Sequence, residues 1–276
     1  MALTADGLRY HDPQLLSKCG IRLRSLAMRR LLAICIGSLV SALALAAPIE
    51  IMVEDAAAPM SNPDGSGYAN EIVLAAFAAM DTPVKLTVVP YARCKKYVLS
   101  GAVAACLSMS DAPELAGKVR LSGLPLFYAY PRFYYHTSRP VAARTLAELP
   151  AGLRVGIVNG YEYPPEILRL TERGIHLLQA RSEETNLKKL AVGHIDLVVS
   201  MMDDFKTDDA LISKAGVQQV VFAFETTPQG SYIGFSSLHP QGEQARQLFN
   251  RGYAAIVLNG TRAAIERKWK NTRPLS

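Results

Sequence analysis

Leu153–Met201 reads LRVGIVNGYEYPPEILRLTERGIHLLQARSEETNLKKLAVGHIDLVVSM, and this stretch decides the fold. "LRVGIVNG" is a strand ending in a turn, and "PPEILRLTERG" is a helix opened by proline and stopped at Gly174. "IHLLQA" is a strand, "SEETNLKKLAVG" a helix capped by Ser182, and "IDLVVSM" a further strand. "VQQVVFAF", from Val217, closes the unit. Alternation of strand and helix predicts an α/β unit, a mainly parallel sheet flanked by helices.

The same pattern precedes it. "IEIMV" (from Ile49), "VKLTVV" (from Val84) and "VAACLSM" (from Val103) are strands. Between them lie the turn "SNPDGSG", the largely buried helix "YANEIVLAAFAAM" and the short helix "ARCKKYVLSG", which stops at Gly101. After Pro131, "RFYYHTS" is a strand that leaves this unit. Past the second unit come "SYIGFSS", the helix "GEQARQLFNRGYAAIVLNG" and the helix "TRAAIERKW", capped by Thr261. Ala245, Leu248, Phe249, Gly252 and Ile256 share one face of the longer helix. Two α/β units with a leftover strand and helices imply two lobes connected twice. Ligands of such sheets sit at the carboxyl ends of the strands, in a cleft between lobes.

From Met28 the chain reads MRRLLAICIGSLVSALALAAPIE. Arg29 and Arg30 form a positive start, Leu31–Leu45 an apolar run, and Ala44-Leu45-Ala46 a small-residue cleavage pattern. The run is shorter than the roughly 20 residues of a membrane-spanning helix. Residues 1–46 therefore read as an N-terminal extension plus a signal peptide starting at Met28, and the mature protein as periplasmic. The formal charge of +6 is then misleading. Through Ala46 there are six bases (Arg9, Lys18, Arg22, Arg24, Arg29, Arg30) and two acids (Asp6, Asp12), leaving 30 − 6 = 24 bases against 24 − 2 = 22 acids. A net +2 is no nucleic-acid footprint.

Cys19 and Cys35 leave with the leader, so Cys94 and Cys106 remain. In an oxidising compartment such a pair favours a disulfide, with free thiols the alternative. Two cysteines do not make a structural zinc site, and no histidine has matching spacing, so no metal and no cofactor are expected. The sequence has no G-x-S-x-G, Walker, H-E-x-x-H or C-x-x-C motif. His136, His176, His194 and His239 stand apart from any carboxylate or cysteine pattern.

The order of "VEDAAAPMSNPDGSGYANEIVLAAF", "VPYARCKKYVLSGAVAACLSMS", "LSGLPLFY", "LRVGIVNGYEY", "LAVGHIDLVVS" and "LNGTRAAIERKW" resembles the family 3 extracellular solute-binding proteins of ABC transporters, across Ile49–Trp269. The resemblance implies a two-lobed type II periplasmic binding protein fold with two hinge crossings. It places lobe 1 at 47–137 and 230–276, and lobe 2 at 138–229. It also implies a monomer that captures a small polar, amino acid-like ligand and delivers it to a transporter permease. By that resemblance Pro59 lines the cleft, Tyr91 packs on the ligand with Arg93 beside it, and Ser108 and Ser110 supply hydroxyls. Tyr161 and Glu162 fall in the lobe-2 loop that takes the ligand carboxylate. Two positions depart from the family pattern: the carboxylate-binding arginine is Leu115, and the ammonium-binding aspartate is Met201. Asp203, Arg93 and Glu162 are the candidate replacements. The residues also allow plainer roles, Tyr91 as a half-buried lobe aromatic and Arg93 as a solvated helix residue. Alternative functions are a cyclohexadienyl dehydratase-like enzyme, with Glu162 or Asp203 as a general acid, and a ligand-sensing partner of a membrane receptor.

Overall fold

The computed structural model describes residues 47–271. The expected signal peptide, its start and the last five residues of the first lobe lie outside the described residues.

Each lobe is built around a parallel core. β1 (Ile49–Glu54) pairs in parallel with β2 (Val84–Val89) and β3 (Ala105–Met109). All of β1 except Glu50 is buried, as expected of a strand covered on both faces. In the second lobe β6 (Arg154–Val158) pairs in parallel with β7 (His176–Ala180) and β8 (Leu197–Met202). The antiparallel pairs all involve β5 (Phe127–His136) or β10 (Gln229–Ser236), with β4 (Val119–Leu121) and β9 (Val220–Glu225) among their partners. β5 pairs with β10 over Phe127–Ala129 and with β8 from Tyr130 onward. β10 pairs with β5 over Gln229–Ser231 and then with β3 and β4. These two strands carry the chain from the first lobe to the second and back. The two-lobed α/β fold read from the sequence is the one observed.

The helices in chain order are α1 (Tyr68–Ala78), α2 (Tyr91–Ser100), α3 (Pro165–Leu168), α4 (Glu183–Ala191), α5 (Asp208–Ala215), α6 (Gly242–Leu258) and α7 (Thr261–Asn271). In the first lobe, α1 and α6 cover one sheet face around Ile51, Ile72, Phe77, Phe235 and Phe249. A Cβ on Gly252 would stand 1.8 Å from the Ala76 carbonyl oxygen, so only glycine allows α6 to lie this close to α1. On the other face, α2 packs through Cys94 and Val98 onto Cys106 and Met109. Cys94 and Cys106 are fully buried and joined by a disulfide, their Cα atoms 5.6 Å apart. The second lobe has clusters around Phe133, Ile157 and Leu197 on one face, and Tyr134, Leu187 and Val198 on the other.

Several elements differ from expectation. The helix expected over "PPEILRLTERG" is the four-residue α3 followed by a 3₁₀ turn, Arg169–Arg173, that ends at left-handed Gly174. Its buried residues Ile167 and Leu170 are three apart, the period of a 3₁₀ helix. α5 was not anticipated, although Thr207 caps it (Ala210 N–H to Oγ1, 3.1 Å) and left-handed Gly216 ends it. Thr261 is already helical rather than the cap: its N–H is donated to Asn259 Oδ1 at 3.0 Å. β5 begins at Phe127 and takes Pro131 into the ladder opposite Met201.

Candidate functional site

The carboxyl ends of strands from both lobes converge on a cavity of about 60 Å³. β1 ends at Glu54 and β3 ends beside Ser108 and Ser110, while β6 leads into Tyr161-Glu162 and β8 into Asp203. Met60, Phe127, Ala129 and Met201 form its apolar wall. A second groove of about 320 Å³, with Pro59 and Trp269 on its wall, shares Glu183 and Lys206 with the cavity.

Glu54 is held by the loop that follows it. Its carbonyl oxygen accepts from Ser61 Oγ at 2.6 Å, and the buried Asn70 donates to the same Ser61 oxygen at 3.0 Å. The Glu54 carboxyl accepts the Tyr161 hydroxyl at 2.5 Å across the lobes. Burial pushes its pKa up to about 8, against the pull of the Tyr161 hydrogen bond and Lys206 and with the push of Glu183.

Glu162 is 4% exposed. Its Oε2 accepts from the Tyr91 hydroxyl at 2.5 Å and the Ser110 N–H at 3.3 Å. Oε1 stands 2.8 Å from Lys95 Nζ, off the direction of a hydrogen bond, so that contact is chiefly ionic. Burial holds the Glu162 carboxyl above its usual range despite Lys95. For Lys95, burial alone would lower the pKa, but Glu162 and Glu114 raise it, so the ammonium stays charged. Gln229, at the start of β10, donates to the Glu162 carbonyl at 2.5 Å.

Glu183 and Lys206 form a second buried pair at 2.6 Å; Lys206 also donates to the Met201 carbonyl at 3.0 Å. Asp203 Oδ1 accepts the N–H groups of Phe205 and Lys206, each at 2.8 Å, and burial raises its pKa against the pull of Lys206. Ser108 has φ 64, a left-handed conformation unusual for serine, and its buried Oγ has no hydrogen-bond partner. Among the described residues, no group of three or more His, Cys, Asp or Glu side chains is placed to hold a metal ion.

Of the residues proposed from sequence, Ser108, Ser110, Tyr161, Glu162 and Asp203 line the cavity. Tyr91 is not on its wall but stands behind Glu162, 3% exposed. Arg93 is exposed and outside the lining. α2 advances about 100° per residue, so the buried Tyr91, Cys94 and Val98 turn inward and Arg93 outward. Lys95, four residues after Tyr91, reaches across the lobes instead. Leu115 is buried in the apolar cluster beside the disulfide, and Met201 is on the cavity wall. Tyr163 is buried and accepts the Val158 N–H at 2.9 Å, a local support for the loop. Sequence reading missed Glu54, Lys95, Glu183, Lys206 and Gln229. The Tyr91–Lys95 spacing signals a shared helix face. The other four acquire partners far along the chain.

The lobes meet through Tyr91–Glu162, Lys95–Glu162 and Tyr161–Glu54, and at the rim through Arg181–Asp55 at 3.2 Å. Lys95 Nζ also donates to the Gly160 carbonyl at 3.0 Å. Gly160 has φ 89, and a Cβ there would stand 3.0 Å from Ala92 Cα, so glycine lets the lobe-2 turn close onto α2.

No family model matches the chain, and no curated protein matches it. Solved structures do. A histidine kinase sensor domain with similarity to periplasmic binding proteins is 20% identical, with 80% of this chain and 95% of that one covered at a TM-score of 0.68. An ancestral arginine-binding protein bound to arginine is 16% identical, covering 82% and 99%, also at 0.68. The substrate binding protein of an amino acid ABC transporter is 13% identical, covering 82% and 100%, at 0.66. At these identities the likeness is one of fold, that of the two-lobed periplasmic binding proteins.

Proposed function

We propose that the chain is a periplasmic solute-binding protein that captures a small polar ligand between its lobes and delivers it to an ABC importer. One observation carries the reading. A small cavity lined by acids, hydroxyls and apolar side chains lies where strand ends of both lobes meet, and beside it the lobes bond to each other through Tyr161–Glu54 and Tyr91–Glu162. Such a cavity opens and shuts by hinge bending, and a ligand preferring the shut state shifts that equilibrium by its differential affinity. Export through the leader from Met28, action as a monomer, and lobe boundaries near residues 137 and 229 belong to the same proposal. So do ligand-contacting roles for Ser108, Ser110, Tyr161, Glu162 and Asp203, with Tyr91 positioning Glu162.

A second reading, a sensor whose shut form is read by a membrane receptor, draws on the likeness to the kinase sensor domain. The dehydratase reading gains raised pKa values at Glu162 and Asp203. Its dicarboxylate substrates, however, would enter a wall with four carboxyl groups and one lysine, Lys206. Capture of a small solute fits that wall better.

A thermal-shift screen of the purified protein against amines, amino acids, organic acids and small sugars tests the proposal. Ligand at about 100 times its Kd contributes roughly 2.7 kcal/mol, a melting shift of about 5–10 °C for a protein of this size. No shift with any class would overturn it.

A further inference from the structure

The charges around the cavity do not balance. Its wall carries the carboxyl groups of Glu54, Glu162, Glu183 and Asp203, and among the described residues Lys206 is its one basic residue. Lys206 is matched to Glu183, and Lys95, from behind the wall, is matched to Glu162. Among the described residues, no lysine, arginine or histidine forms an ion pair with Glu54 or Asp203. A buried carboxylate without a counter-charge is costly and retains its proton until a cation arrives. Among the described residues, no arginine reaches the wall to fork a ligand carboxylate, and Lys206 is already committed to Glu183 and the Met201 carbonyl. A ligand carboxylate would meet uncompensated acids. The wall also presents a strained serine whose buried hydroxyl has no partner. The wall also includes the apolar side chains of Met60, Phe127, Ala129 and Met201. Since one water needs roughly 10–15 Å³, a cavity of about 60 Å³ holds only a handful of non-hydrogen atoms.

We infer that the cavity takes a compact organic ammonium lacking a carboxylate, its N–H groups shared among Glu54, Asp203 and the Ser108 hydroxyl, its carbon skeleton on the apolar wall. This rests on the solute-binding reading and names the ligand class. The ammonium supplies the charge that Glu54 and Asp203 lack, so its arrival releases a proton held on the wall. The groups facing Glu54 are Tyr161, Glu183, Lys206 and Asp55, with Tyr91 nearby. Of these, only Lys206 is cationic, and it is shared with Glu183.

The test is isothermal titration at neutral pH with ethylammonium, ethanolammonium, alanine and propionate, in two buffers of different ionisation enthalpy. Alanine is ethylamine with a carboxylate added, so that pair isolates the group in question. Ethylammonium or ethanolammonium is expected to bind at least about tenfold more tightly than alanine, with proton release that changes the heat between buffers. Glu54→Gln is expected to weaken amine binding by about tenfold or more and to remove most of the proton release, which a merely structural role would not do. Asp203→Asn is expected to weaken it similarly. Alanine or propionate binding as tightly as the amines would overturn the ammonium assignment while leaving solute binding intact. No binding by amines, amino acids, acids or sugars would overturn both.

Discussion

At the scale of single residues, the cavity is defined by where burial meets charge. Glu54 holds a carboxyl with a pKa of about 8 in the folded protein, against 4.5 when exposed. Across that window the folded state binds the extra proton, so Glu54 stabilises it fully below pH 4.5 and this contribution is lost as pH rises towards about 8. Urea unfolding across that range should show the wild type losing stability, on the order of a few kcal/mol, with a flatter profile for Glu54→Gln. Profiles of equal slope would contradict the buried, proton-holding state of Glu54. This residue was not legible in the sequence: it reads as the polar end of an apolar strand, and its partner Tyr161 is 107 residues away. Arg93 was the residue picked from this helix, and Lys95 was passed over. Helical geometry separates the outward Arg93 from Lys95, which shares a face with Tyr91, and position along the chain alone does not.

Among the elements, the α2–β3 segment acts as a brace. The disulfide ties a helix bearing Tyr91 and Lys95 to a strand ending beside Ser108 and Ser110, with both sulfurs in an apolar cluster. Closing a loop of 12-residue separation contributes about 3 kcal/mol in the chain-entropy picture. Cys94→Ala with Cys106→Ala should lower the unfolding free energy from urea titration by about that amount, with a lower midpoint, and lower the affinity for the bound solute less steeply. An unchanged unfolding free energy would contradict the brace. Strand–helix alternation made the parallel cores of both lobes readable, because covered strands are near-continuous apolar runs such as "IEIMV" and "IDLVVSM". α5 escaped because eight residues hold little periodicity, and its signals, Thr207 and Gly216, are single residues at its ends. The break after α3 escaped because its buried Ile167 and Leu170 are three residues apart, a spacing that an α-helical face shows as well.

For the whole molecule, the decisive feature is that β5 and β10 join the two lobes while polar and aromatic contacts bridge them beside the cavity. Tyr91–Glu162, Tyr161–Glu54 and Arg181–Asp55 are exchangeable with water, whereas the ring contacts Tyr91–Tyr161 and Tyr68–Phe205 add apolar burial between the lobes. The two-lobe plan was visible from the restart of the pattern at Leu153. The acidic balance of the cavity was not, since its four carboxyl groups come from β1, the β6 turn, α4 and the end of β8. The most direct test of the central claim is solution X-ray scattering of the purified protein, with and without the solute that most raises its melting temperature. Closure around that solute predicts a smaller radius of gyration and a narrower scattering profile when it is bound. Superimposable profiles, with that solute bound at saturation, would contradict capture by hinge closure.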